Sequence, residues 1–469
     1  MKFRDSIRFA VVKSNSYRLF SRLNKAIYDF AVKIFILNCR KFSEIRKIYL
    51  KPSFGNSGWT PGLSDIDLIV IVNDNPGLHE EIVFLNNFWK NYNRLKFFFP
   101  MLGHVDIISE EQLKTLLKFK IEGYGFSSWD LRYSKNAHNL NDNISQRIPC
   151  QGSLFCAFDS YYNFLLKDLF LFSSSSPFIY KKLIIRITQK IISELGCKDL
   201  SLENAYFLNA YSSFAYVIKS LDRVKSAISC GGKRFSAYTE QKDGGNGHYP
   251  EKVKTLVEKL SERQGHCLEE VFFIDEFGKR PAVLFKDDLS AADISNFLSD
   301  LRGIILELDL PSPFIFTRNI LRISLEKYNP FWYYGIGKGV LSGEDFRQEI
   351  KLPSNAAFTD CALRQSLGLF SAIRNQPQAQ GLYSKRIFGA FSNYFIFKIV
   401  AMALFFEKGV IVISKEALLD KWKEYYHDSY SRFDCLNNDN RGEYCFIGKF
   451  TLAKELSDHL NKLIICSMK

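Results

Sequence analysis

The run DIDLIVIV at residues 65–72 places two carboxylates at the head of an unbroken apolar, β-branched stretch. Branching at Cβ favours extended backbone, so this run predicts a strand. A strand repeats every two residues, which puts Asp65 and Asp67 on one face and turns Ile66 away. Two acids this close repel each other, an unfavourable arrangement unless a cation sits between them. In front lies the loop PSFGNSGWTPGLS (52–64), which offers hydroxyls (Ser53, Ser57, Ser64) and glycines (Gly55, Gly58, Gly62). Such a loop lets backbone amides approach a phosphate closely.

The surroundings of this strand predict a compact α/β unit. Leu23, Ile27, Phe30, Ile34 and Leu37 recur at helical spacing and give residues 23–37 one apolar face. A strand at 45–51 follows and breaks at Pro52, and a second helix fits 80–94 through Ile82, Leu85, Trp89 and Tyr92. Val105 to Ile108 reads as a third short strand. From about residue 151 the pattern turns mainly helical. The exceptions are a glycine-rich polar loop at 230–249 and a hairpin around Gly278 within 270–286.

A chain of 469 residues is too long for one ordinary core. Three regions are expected: 1–150, 151–330 and 331–469. The net charge of +13 suits an anionic partner without choosing among nucleotide, nucleic acid and an acidic membrane surface. Ten scattered cysteines lack metal or redox spacing, so reduced thiols in a cytoplasmic setting are expected. The N-terminus lacks a secretory pattern. The most apolar stretch, 394–406, contains Lys398 and falls short of the roughly 20 residues a membrane span needs. It reads as a buried helix. GIGKG (335–339) lacks both a preceding strand and a Lys-Ser/Thr ending, so it is not read as a phosphate loop.

Oxygen donors such as Asp65 and Asp67 suit Mg²⁺ or Mn²⁺. In-line displacement at a phosphate is assisted by two such ions roughly 3.5–4 Å apart, and the ion at the attacking oxygen needs a further ligand. In GHVDIIS (103–109) the alternation puts His104, Asp106 and Ile108 on one face, and Asp106 is the candidate. His104 is read as an ordinary core or surface histidine.

This stretch resembles the polymerase-β-type nucleotidyltransferase superfamily, marked by a Gly-Ser turn, then Asp-x-Asp followed by an apolar residue, then a later single acid. TPGLSDIDL (60–68) carries the likeness most closely. Counting back twelve positions from Asp65 reaches Ser53, where Pro52 replaces the family's glycine; a second register uses Gly55 and Ser57. The resemblance implies an α/β (α+β) nucleotidyltransferase domain with a short mixed sheet, followed by a mainly α-helical region. It also implies Asp65, Asp67 and Asp106 as catalytic metal ligands, and Ser53, Gly55 and Ser64 as nucleotide contacts.

A second segment, AMALFFEKGVIVISKEALLDKW (401–422), is similar to the helical domain of aminoglycoside adenylyltransferases. There a Ser-Lys pair opens a helix. The pair here is Ser414 and Lys415, with Ser414 as N-cap and Lys415 implied to meet the triphosphate. Together these features predict transfer of a nucleoside monophosphate, AMP by the resemblance, from ATP or another nucleoside triphosphate to a small-molecule hydroxyl, releasing pyrophosphate. RNA or protein as acceptor, in a toxin- or defence-like role, and a catalytically silent nucleotide-binding scaffold stay open as alternatives.

Overall fold

The computed structural model describes residues 3–51, 61–62, 65–74, 77–118, 129–135, 154–166, 177–195, 210–224, 236–238, 248–277, 279–343, 345, 350–379, 385–426 and 443–467. The chain is a mixed α/β protein with small sheets and many helices, divided into two compact units. The first comprises residues 1–149, 363–408 and 420–469; the second comprises 150–362 and 409–419. The C-terminal third, expected as one region, is therefore shared between both.

The chain begins with α1 (Phe3–Ser14), α2 (Arg18–Cys39), β1 (Ile45–Leu50), β2 (Ile66–Val72), α3 (Leu78–Phe98), β3 (Leu102–Ser109), α4 (Glu110–Lys118) and β4 (Asp130–Ser134). The four strands form one sheet in the order β3-β2-β1-β4. β1 runs antiparallel to β2 and β4, while β2 and β3 are parallel, joined through α3. Parallel neighbours need a long crossover, and α3 supplies it. Every residue of β2 except Asp67 is buried.

The two helices differ in how well periodicity anticipates their cores. On α3, Leu85, Trp89 and Tyr92 are buried as expected, joined by Phe84 and Phe88. On α2 the buried face is Tyr28, Ala31, Val32, Phe35, Ile36 and Cys39. The stripe expected to be buried is not: Leu23, Ile27, Phe30 and Leu37 are exposed and Ile34 is half-buried. α2 carries two apolar stripes, and the other one is buried, with Phe35 edge-on to Phe88 and Tyr92 of α3.

The second unit starts with α5 (Leu154–Ser160), continued by a π-helical turn Tyr161–Leu165, then α6 (Pro177–Glu194) and α7 (Ala210–Asp222). β5 (Ser236–Tyr238) lies inside the segment expected to be loop. After α8 (His248–Gln264) come β6 (Leu268–Asp275) and β7 (Lys279–Phe285), the expected hairpin, antiparallel from Leu268↔Phe285 to Asp275↔Lys279. α9 (Ala291–Glu307) opens on a capping box in which Ser290 accepts the Asp293 N–H and Asp293 reaches back to Ser290 N–H. β8 (Phe314–Phe316) adds to β7 in parallel, and Thr317 caps α10 (Arg318–Lys327). The helical middle region thus also contains a three-stranded sheet.

The remaining elements are a short α11 (Trp332–Gly335), α12 (Asn355–Ala379), α13 (Lys385–Lys408), β9 (Val410–Val412), α14 (Lys415–Tyr425) and α15 (Glu443–Ser467). β9 pairs in parallel with β5 inside the second unit, while α13 packs along α15 in the first. The apolar stretch of α13 is buried from Ile396 to Phe405, as its composition predicts. Among the described residues, no helix is long and apolar enough to cross a membrane. Cys39, Cys156, Cys267, Cys361 and Cys466 carry thiols rather than disulfides.

Candidate functional site: the acidic end of the first sheet

Asp65 immediately precedes β2, Asp67 is its second residue, and Asp106 sits on the neighbouring β3. The register explains their meeting. Leu68 pairs with Val105 and Ile69 with Asp106, but Ile66 pairs with Leu102, so β3 accommodates one extra residue opposite Asp67. This irregularity leaves Gly103 facing both acids. A Cβ at position 103 would lie 2.5 Å from Asp67 Oδ1, 2.7 Å from Asp65 Cβ and 3.1 Å from Ile66 O. Real Cβ atoms do not approach that closely, so only glycine lets β3 run beside the pair. Gly103 is a site residue that the sequence displays without announcing.

Each carboxylate is held differently. Asp67 Oδ1 accepts the backbone N–H of His104 at 2.9 Å, and its carbonyl accepts the N–H of Lys51 at 3.0 Å. Asp106 is engaged on both oxygens. Oδ1 lies 2.8 Å from His104 Nε2 and accepts from Asn375 Nδ2 at 2.9 Å, while Oδ2 pairs with Lys51 Nζ. Burial acts to raise the Asp106 pKa, but the His104 hydrogen bond and the Lys51 charge outweigh it. The carboxyl is held well below the usual carboxylate range. His104 is therefore a partner of Asp106 and not an isolated surface residue.

Asn375 comes from α12, 269 residues away in sequence, and completes a small bridge. Its Oδ1 accepts the Ile107 N–H at 3.2 Å while its Nδ2 donates to Asp106. The preceding residue anchors that turn of helix. Arg374 donates to Glu81 Oε1 of α3 at 2.7 Å, and its carbonyl accepts Trp89 Nε1 at 2.9 Å. Lys454 of α15 reaches Glu81 Oε2 at 2.6 Å, so the buried carboxylate joins three helices behind the sheet. No motif points to Glu81, Arg374 or Asn375.

The end of the glycine-rich loop is tied to the first two helices. Gly62 takes φ +87°, the left-handed region that suits glycine after Pro61, and its N–H donates to Tyr28 OH at 2.8 Å. Asn15 Nδ2 holds the Pro61 carbonyl at 2.8 Å. The candidates Ser53, Gly55 and Ser64 lie outside the described residues. Lys415 opens α14 in the second unit with Ser414 as its N-cap, accepting the Ala417 N–H at 3.1 Å, as expected. In the GIGKG region the amides of Leu341 and Ser342 bind the buried carboxylate of Glu270 at 2.7 and 2.9 Å, so its anion is internal.

The structure thus brings Asp65 and Asp67 together against Gly103 and pairs Asp106 with an ammonium. Among the described residues, no three His, Cys, Asp or Glu side chains are arranged to hold a metal ion. Asp65 and Asp67, carboxylates at the head of β2 that flank Gly103 through Asp65 Cβ and Asp67 Oδ1, are the donors whose chemistry fits a divalent cation. No family model matches the chain, and no curated protein or solved structure matches it either.

Proposed function

We propose that the protein is a metal-dependent nucleotidyltransferase that moves a nucleoside monophosphate, AMP from ATP in the first instance, onto a hydroxyl acceptor with release of pyrophosphate. The observation that supports this reading is that Asp65 and Asp67 both border Gly103 at the head of β2, with Asp106 on the adjacent parallel strand. Asp65 and Asp67 would hold Mg²⁺ or Mn²⁺. The ion, when bound, supplies charge stabilisation to the phosphate undergoing displacement. Asp106, so strongly acidified, is a poor proton acceptor. Its assigned part is a fixed negative charge beside the acceptor hydroxyl, oriented by Asn375 and His104. Lys51 is the resident counter-cation of that charge.

A second reading has one observation in its favour. Asp106 is already satisfied by Lys51, His104 and Asn375, which suits a catalytically silent nucleotide-binding scaffold. One experiment separates the two. Purified protein is incubated with each labelled nucleoside triphosphate, Mg²⁺ or Mn²⁺, and cell extract. Label appearing in a small molecule, RNA or protein, and absent with Asp67→Asn, supports transfer and identifies the acceptor. Nucleotide binding without transferred label supports the scaffold, and neither binding nor transfer sinks both.

A further inference from the structure

Of the thirteen large apolar side chains exposed among the described residues, ten lie on α2, at its N-cap or on α3. They are not scattered. Leu19, Leu23, Ile27, Phe30 and Leu37 follow the 3–4 spacing that puts residues on one stripe of a helix. Beside the stripe stands the C-terminal corner of α3, where Phe97 and Phe98 are 82% and 73% exposed. The two are contiguous, because Phe30 of α2 packs edge-on to Phe99 at 5.9 Å. Exposed apolar surface of this extent marks an interaction site.

Charge selects the occupant. α2 carries Arg18, Arg22, Lys25 and Lys33 against the single acid Asp29. The second half of α3 carries Lys90, Arg94 and Lys96 with no acid after Glu81. A second copy of this face would bring like charges together, whereas an anionic surface neutralises them. Exposed aromatic and aliphatic side chains rimmed by Lys and Arg on a surface helix are the pattern of interfacial membrane binding.

We propose that the face formed by α2 and the Phe97–Phe98 corner docks on an anionic lipid bilayer. Phe97, Phe98, Leu19 and Leu23 enter the headgroup region and Arg22 and Lys25 meet lipid phosphates. The docking is peripheral and needs no spanning helix. It is independent of the catalytic reading, since none of these residues belongs to the acidic site.

The test is flotation of the full-length protein with vesicles of phosphatidylcholine alone or with added phosphatidylglycerol. The wild type floats with the anionic vesicles and not with the neutral ones. Phe97→Ser/Phe98→Ser reduces partitioning more than about tenfold through lost apolar burial. Arg22→Gln/Lys25→Gln reduces it by about 25-fold, near fivefold per charge. All of these side chains are exposed, so both variants should keep the wild-type circular dichroism and melting temperature. Absence of wild-type flotation overturns the proposal, as does flotation unchanged in both variants. A solution dimer that dissociates on Leu19→Ser/Leu23→Ser assigns the face to a second copy and also overturns it.

Discussion

Lys51 Nζ forms an ion pair with Asp106 Oδ2 of β3, although the two residues are 55 positions apart. Lys51 directly follows β1, and its N–H donates to the Asp67 carbonyl, which sets its side chain beside the acidic pair. An ammonium here does two things. It compensates a largely buried carboxylate, and under the metal-dependent function proposed above it would compete with a cation at Asp106.

Lys51→Gln should therefore act in opposite directions on two measurements. Stability in urea should fall by about 1–2 kcal/mol, because a partly buried carboxylate loses its charged donor. Affinity for Mn²⁺, followed by calorimetry on the nucleotide-free protein, should rise several-fold once the competing ammonium is gone. Lys51→Arg keeps the charge and should change neither much. Unaltered Mn²⁺ affinity in the Gln variant would show that Lys51 does not compete.

Gly103→Ala places a methyl group 2.5 Å from Asp67 Oδ1 and 2.7 Å from Asp65 Cβ. Asp67 can rotate aside, but the Asp65 Cβ is fixed to the backbone and β3 must shift. We expect a stability loss of about 1–3 kcal/mol, with Mn²⁺ binding abolished. An Ala variant that binds Mn²⁺ normally would mean that the two acids do not act as one cradle.

Asp65→Asn and Asp67→Asn should each abolish nucleotidyl transfer while melting at or slightly above the wild-type temperature. Removing one of two like charges relieves repulsion. The carbonyl of an Asn at 67 still accepts the His104 N–H. Substantial transfer remaining in both variants would remove the pair from the mechanism.

Glu81, like Asp106, contributes to the acid sensitivity of the first unit. Burial pushes its carboxyl up, but the charges of Arg374 and Lys454 pull it down further, leaving its folded pKa lowered. A lowered folded value stabilises above the unfolded pKa, near about 4.3, and that stability is lost as pH falls through the folded value. Urea melts should therefore weaken steadily from about pH 5 downward in the wild type. Glu81→Gln should be less stable at neutral pH by about 3–5 kcal/mol, because Arg374 and Lys454 keep their charges without a counter-ion. Its pH slope should be shallower. An equal slope in both proteins would show that Glu81 contributes none of it.

The sequence by itself determined the local frame of this protein. The β-branched run after Asp67, the alternation in GHVDIIS, the helical spacing in α3 and the hairpin from Leu268 to Phe285 all appear where period and propensity put them. These are short-range properties, settled by how a side chain points from its own backbone. What lies opposite a face is not such a property. Periodicity points to the stripe through Leu23 and Ile27, but packing against α3 buries the one with Tyr28, Ala31 and Phe35 instead. Asn375 reaches Asp106 across 269 residues and Lys51 reaches it across 55, with no motif marking either partner. Gly103 is forced by the register between β2 and β3. Which groups surround a buried carboxylate is decided by where distant segments pack, and no local pattern encodes that choice.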